Sequence, residues 1–142
     1  MPISFSSYDV SYNIPDEATI KSWILEVVEN EEYKVGNLSF IFCSNEYILI
    51  NNRQFLSHNY TTDIITFDYT YRRIISGDIL ISIPTVHNNS ITFECSFFDE
   101  LLRVIIHGVF HLMGYSDSTA EETALMRKAE DLALLYYETN FK

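Results

Sequence analysis

The stretch Leu101–Met113 constrains the fold of this 142-residue chain more than any other segment. It is apolar at nearly every position, and only Arg103, His107 and His111 interrupt it. A helix that is apolar on all sides must be buried, and this stretch is far shorter than the ~20 residues needed to cross a bilayer. We therefore expect a core helix that ends at Gly114, because glycine just past a helix end can turn the chain sharply.

The remaining hydrophobic patterns indicate one domain of the mixed α/β class over residues 1–142. The length fits a single domain of ~100–200 residues, and 47% apolar residues are enough to fill a core. The patterns predict, in order, one or two short strands within 3–12, a helix over 15–30, a strand over 38–43, a helix or helical turn over 45–56, strands over 63–68 and 78–83, one long helix over about 89–113, and a last helix from 119 to about 137. We expect Pro84 to stop the strand before it.

The acidic balance limits which partners the chain can bind. Twenty acidic against nine basic residues give a formal net charge of −11. General affinity for nucleic acid requires Lys and Arg to neutralise phosphates, so this balance argues against it. The N-terminal residues lack the pattern of a signal peptide, and two cysteines are too few for a disulfide framework. We therefore expect a cytoplasmic protein with no membrane contact.

Two histidines in the apolar stretch predict a metal site. His107 and His111 are four residues apart, so their rings share one helix face and can bind one ion. Gly114 allows the chain to fold back and bring Asp117 to the same place. Two nitrogens and one carboxylate oxygen leave a position for water, as in catalytic sites. The alternative is a pair of hydrogen-bonded core histidines with Asp117 unrelated to them.

The spacing matches the metzincin pattern H-E-x-x-H-x-x-G-x-x-H with two changes. Gly108 replaces the glutamate that acts as general base in peptide hydrolysis, which argues against a protease. A glycine inside a helix costs ~1 kcal/mol relative to alanine, so Gly108 suggests that another group approaches closely there. Asp117 replaces the third histidine. We expect one zinc ion per chain, although two histidines and a carboxylate also bind non-haem iron.

The segment HGVFHLMGYSD at 107–117 resembles the hallmark H-G-x-L-H-L-x-G-Y-D-H of the YbeY-type rRNA maturation endoribonucleases. Two further blocks follow the family pattern in the same order: NNRQFL with TTDIITF at 51–67, and GDILIS at 77–82. The resemblance implies a small α/β (α+β) domain with a mixed four-stranded sheet and a metal site at the end of the long helix. It also implies a metal-dependent, single-strand-specific endoribonuclease in small-subunit rRNA 3′-end maturation and ribosome quality control, with rRNA or the small subunit as partner.

The chain departs from the family pattern in its candidate site residues. Asp117 stands where the family has a histidine, and the family's arginine falls on Leu56, with Thr61 in place of the following proline. Arg53, one helical turn earlier, either presents its guanidinium to a similar place or is an ordinary exposed residue. Asp63 is a candidate hydrogen-bond partner for a ligand imidazole, or it caps its own strand.

The acidic charge leaves two ways to bind RNA. One is a local patch of Arg53, Arg72 and Arg73 together with the metal, and the other is a ribosome-associated protein that supplies a basic surface. In either case we expect weak affinity for naked RNA with a shallow salt dependence. A second function is consistent with the same residues: a non-catalytic ribosome-assembly factor whose metal is structural.

Overall fold

Nine elements of secondary structure follow one another in the computed structural model, which describes residues 2–55 and 62–142. In chain order they are β1 (Ile3–Ser7), α1 (Glu17–Asn30), β2 (Lys34–Cys43), α2 (Asn45–Phe55), β3 (Ile64–Asp68), β4 (Ile74–Ser82), α3 (Ile83–Thr92), α4 (Phe97–Leu112) and α5 (Ala120–Asn140). Leu56, His58 and Thr61 lie outside the described residues. None of the helices in the described ranges is both long enough and apolar enough to span a membrane.

The four strands form one mixed sheet in the order β1-β2-β4-β3. The first three strands are parallel, and β3 pairs antiparallel to β4 with Ile64 opposite Ile81. Side chains alternate across the sheet, so Ile79 and Ile81 join the main core with α1, α4 and α5, while Leu80 packs with Ile48 of α2. This confirms the predicted class, a small α+β domain with a mixed four-stranded sheet.

Gly108 lets α4 lie directly on the sheet. A Cβ atom at this position would lie 2.9 Å from Cδ1 of Ile64 and 3.1 Å from Cδ1 of Ile79. The close approach predicted at Gly108 is therefore confirmed, and the group that approaches is the sheet. This close packing sets the distance between the backbone of the neighbouring His107 and strands β3 and β4.

The single helix predicted over 89–113 is wrong, because two helices occupy that range. Between them Glu94 adopts a left-handed conformation with φ of 56°. Ser96 then caps α4, its side chain accepting a hydrogen bond from the backbone N–H of Asp99. The apolar pattern runs through this junction, so hydrophobic spacing alone does not reveal the break.

Three predicted boundaries also shift. Pro84 does not simply end a strand, since it lies in the first turn of α3, where proline is tolerated, and Ser82 caps that helix. β2 and β4 each begin four residues earlier than predicted, at Lys34 and Ile74, which pair with each other. Gly36 and a shift of register beside it interrupt the hydrophobic alternation that the prediction followed.

Candidate metal centre

The end of α4 turns the chain back on itself, as the sequence predicts. Gly114 has a φ of +94°, which favours glycine. Its N–H donates to the carbonyl of His111, and the N–H of Tyr115 donates to the carbonyl of Phe110, each at 3.0 Å. These two bonds form a Schellman motif, which satisfies the last helix carbonyls. The reversal brings Asp117 back beside the helix.

The three predicted ligands meet at one point. Oδ2 of Asp117 lies 3.5 Å from Nε2 of His107 and 3.6 Å from Nε2 of His111. One possible ligand atom from each of the three residues lies within 4.8 Å of the other two. Two atoms that each lie ~2.0–2.1 Å from a tetrahedral zinc ion are separated by about 3.4 Å. The donor set and its spacing therefore fit a divalent metal bound by two imidazoles and one carboxylate.

Glu130 of α5 fixes the orientation of the His107 ring. Its Oε2 lies 2.5 Å from Nδ1 of His107, and its Oε1 accepts a hydrogen bond from Nη1 of Arg103 at 2.9 Å. The Glu130 side chain is only 5% exposed. In the neutral ring, a carboxylate at Nδ1 holds the proton on that nitrogen, which leaves Nε2, 3.5 Å from Oδ2 of Asp117, as the nitrogen that can bind a metal. Arg103 also donates to Asp131 at 2.7 Å.

The acidic surroundings favour a cation at this site. Burial lowers the pKa of His107, but the hydrogen bond and charge of Glu130, with the charges of Asp117 and Asp63, outweigh burial and raise it above its ordinary value. A bound metal requires the neutral ring. In the metal-free protein, a proton therefore competes with the metal for His107.

His107 and Asp117 open onto a cleft with a volume of about 320 Å³. Among the described residues that line it, the cations are Arg103 and Arg127. Burial, reinforced by Asp63, raises the pKa of Glu100 in the same cleft. Arg127 is exposed, whereas Arg103 is engaged by Glu130 and Asp131. The residues that line the cleft are Asp63, Asn89, Phe93, Glu100, Arg103, Val104, His107, Asp117, Thr123, Met126, Arg127 and Glu130.

Asp63 lines the cleft, but the hydrogen bond to Nδ1 of His107 is made by Glu130 and not by Asp63. Its Oδ2 accepts from Nδ2 of Asn89 at 3.4 Å, and its backbone carbonyl accepts from the N–H of Ser82 at 2.9 Å. The side chain of Asp63 therefore bonds Asn89 of α3, and only its backbone carbonyl makes the hydrogen bond at the strand end. The sequence analysis missed Glu130, which makes the contact proposed for Asp63.

None of the three candidate RNA-binding arginines is among the described residues that line the cleft beside His107. Arg73 donates through Nε and Nη2 to the carbonyls of Glu32 and Glu31 at 2.8 Å, just past the end of α1, and its guanidinium lies 4.1 Å from the centre of the Tyr33 ring. Arg72 lies over the ring of Tyr71 at 5.2 Å. Arg53 is exposed in the last turn of α2. Their contact with substrate stays a prediction.

Comparisons with known proteins match nearly the whole chain. A family model described as "Endoribonuclease YbeY" matches residues 5–138. Proteins of that name from Parabacteroides distasonis and Cytophaga hutchinsonii are each 44% identical, over 94% and 93% of both chains respectively. The solution structure of TM1509 from Thermotoga maritima superposes with a TM-score of 0.64 over 98% of this chain and 93% of that one, at 24% identity. At that identity, the structural likeness establishes the fold alone.

Proposed function

Because the chain belongs to the endoribonuclease YbeY family, we propose that it is a metal-dependent endoribonuclease. The observation that carries the proposal is the convergence of His107 and His111 on Asp117 at 3.5 and 3.6 Å. Three protein ligands leave an ion open to water and substrate, as catalytic sites require. The name of the relatives supports RNA as the substrate class.

His107, His111 and Asp117 would hold one zinc ion per chain. When bound there, the ion would supply Lewis-acid chemistry toward a phosphoryl oxygen and toward water. Asp117 adds negative charge that a third histidine would not, so the site also suits harder divalent metals. Glu130 holds the His107 ring in place and keeps its proton on Nδ1. These contacts preorganise the ligands before any ion or substrate binds.

We infer that the substrate is single-stranded RNA that lies along the cleft beside the ligands. Arg127 is the exposed cation among the described cleft residues, so it is the candidate contact for a phosphate. Asp63 and Glu100 in the same cleft would repel further phosphates. This local charge supports weak binding of naked RNA through few phosphate contacts.

The physiological role that we propose is maturation of the 3′ end of small-subunit rRNA in the cytoplasm, with quality control of the ribosome. The partners in this role are rRNA or the small subunit, and ribosome-associated proteins. The resemblance of 107–117 and of the two upstream blocks to the family pattern supports this role.

A non-catalytic assembly factor with a structural metal is the second candidate. The net charge of −11 and the excess of acids in the cleft favour it, as does Leu56 at the position of the family's arginine. An assembly factor would bind the metal but would not cleave RNA, so a cleavage assay on the metal-loaded protein distinguishes the two functions.

The deciding experiment incubates metal-loaded protein with an end-labelled single-stranded RNA, with and without chelator. The endoribonuclease predicts cleavage that chelator abolishes, that zinc restores, and that His107→Ala and His111→Ala lack along with the metal. His87→Ala, on the exposed surface of α3, is the matched control and should cleave normally. Full metal content without cleavage would support the assembly factor. Cleavage that survives both chelator and His107→Ala would come from a contaminating nuclease.

A further inference from the structure

A groove runs between α1 and α5, away from the metal centre. We call it the α1/α5 groove, and its volume is about 700 Å³. Trp23 of α1 joins the two helices, its Nε1–H donating to the carbonyl of Ala133 at 2.9 Å. The residues that line the groove are Glu26, Val27, Glu29, Asn30, Glu31, Phe110, Tyr115, Ala129, Leu132, Ala133 and Tyr136.

The groove combines apolar and acidic lining. Val27, Phe110 and Ala133 are buried core residues that it reaches, whereas Leu132 of α5 is 59% exposed. Three glutamates also line the groove, two in α1 and one directly after it. None of the described lining residues is Lys or Arg. The groove thus presents an apolar surface edged by three carboxylates, those of Glu26, Glu29 and Glu31, with Arg73 bound to the backbone carbonyl of Glu31 behind the lining.

Two tyrosine–glutamate hydrogen bonds hold the walls in place. The hydroxyl of Tyr136 donates to Oε1 of Glu26 and joins α5 to α1. The hydroxyl of Tyr115 donates to Oε1 of Glu31 and joins the turn after α4 to the end of α1. A groove fixed in this way needs little reorganisation to accept a ligand.

We propose that the α1/α5 groove is the docking surface for a basic amphipathic segment of a partner protein. Apolar side chains spaced three or four residues apart on a helix would enter the groove, as in other helix-in-groove complexes. Lysines and arginines on the flanks of that helix would meet Glu26, Glu29 and Glu31, which gives complementary charge and faster association.

The same charges argue against two other occupants. An RNA strand would place its phosphates against three carboxylates with no cation among the described lining residues. A second copy of this chain would place like charges together, because each copy carries a net charge of −11. A basic protein segment is the occupant that the lining chemistry selects.

The groove and the metal cleft can be occupied together. Among the described residues, the two sites share no lining side chain, although both use α4 and α5. A partner in the groove would leave the cleft open to RNA. The docking proposal therefore stands or fails independently of the nuclease activity.

The test uses the full chain and a labelled 16-residue peptide in which leucines repeat at helical spacing among lysines and arginines. We expect binding that weakens with salt, and amide chemical-shift changes that are largest at the groove residues. Leu132→Asp should weaken binding at least tenfold, because it places a charge on the apolar surface. Glu29→Lys should weaken it severalfold through reversed charge.

Leu125→Asp is the matched control, since Leu125 lies on the same helix, is 64% exposed and does not line the groove. It should bind the peptide as the unmodified protein does. The thermal midpoint of each variant shows whether it is folded, and RNA cleavage by metal-loaded Leu132→Asp should be unchanged.

Several results would overturn the proposal. Equal binding of a peptide with serines in place of the leucines would mean that only charge attracts it. Shifts that are largest outside the groove, or an equal loss in Leu125→Asp, would place the binding elsewhere. Shifts of groove amides caused by single-stranded RNA, or by raising the protein concentration alone, would identify a different occupant.

Discussion

Glu130→Gln should weaken zinc binding although Glu130 is not a ligand. The carboxylate accepts two bonds, from Nδ1 of His107 at 2.5 Å and from Nη1 of Arg103 at 2.9 Å. Glutamine keeps the size of the side chain but removes the charge that holds the proton on Nδ1. Loss of a group that orients a ligand histidine typically costs ~10–100-fold in metal affinity. That range corresponds to about 1.4–2.7 kcal/mol.

The measurement is competition for zinc between the metal-free protein and a chromophoric chelator at fixed pH. Asp131→Asn is the matched control, because Asp131 accepts from the same Arg103 at 2.7 Å and, among the described residues, forms no hydrogen bond or ion pair with His107 or His111. If Glu130 acts by orienting His107, Asp131→Asn should retain the affinity to within a factor of about three. An equal loss in both variants would refute the reasoning, since it would assign the effect to Arg103. Unchanged affinity in Glu130→Gln would refute it as well.

Three further predictions concern the turn, the cleft and the pH response. Gly114→Ala should lower the free energy of unfolding by about 1–3 kcal/mol in urea titrations, because a residue with a side chain is strained at a φ of +94°. Zinc affinity should also fall, because Asp117 would be displaced. An unchanged urea midpoint would contradict the role of the turn. Arg127→Ala should reduce the salt slope of single-stranded RNA binding by about one, as expected for one lost phosphate contact, whereas the exposed neighbour Lys128→Ala should leave it unchanged. The pKa of His107 is raised in the folded protein, so protonation of this ring should stabilise the metal-free protein. The stabilisation should be complete at pH values below the unfolded-state pKa of about 6.5 and should disappear as the pH rises through the folded-state pKa. Thermal midpoints from pH 5 to 9, compared with those of His107→Gln, would show it.

The convergence of His107, His111 and Asp117 was predictable because its geometry is local. The four-residue spacing of His107 and His111 and the glycine after the helix place three side chains together within eleven residues of sequence. Glu130 lies on another helix, and no local spacing connects it to His107. One signal does exist in α5: the buried positions Met126, Glu130, Ala133 and Tyr137 recur at helical intervals, so a charged residue stands on an apolar stripe.

Other parts of the fold depend on contacts that a pattern does not contain. The break between α3 and α4 follows from a left-handed Glu94 and the Ser96 cap, in the middle of apolar residues that continue the helical spacing. Arg73 is predicted to contact RNA because it lies in the least acidic section of the chain, and that contact stays a prediction. The sequence does not show that its guanidinium binds two carbonyls just past α1, a contact between residues 41 and 42 positions apart in the chain.

Helix α5 is a wall shared by two sites. One side carries Glu130, which holds His107, and the next side carries Leu132 and Tyr136 of the α1/α5 groove. Any shift of α5 caused by a groove occupant would therefore be felt by a metal ligand. Thermodynamic linkage makes such an effect reciprocal. The factor by which a docked partner changes zinc affinity must equal the factor by which zinc changes the affinity for that partner, so any coupling through α5 would appear with the same size in both titrations.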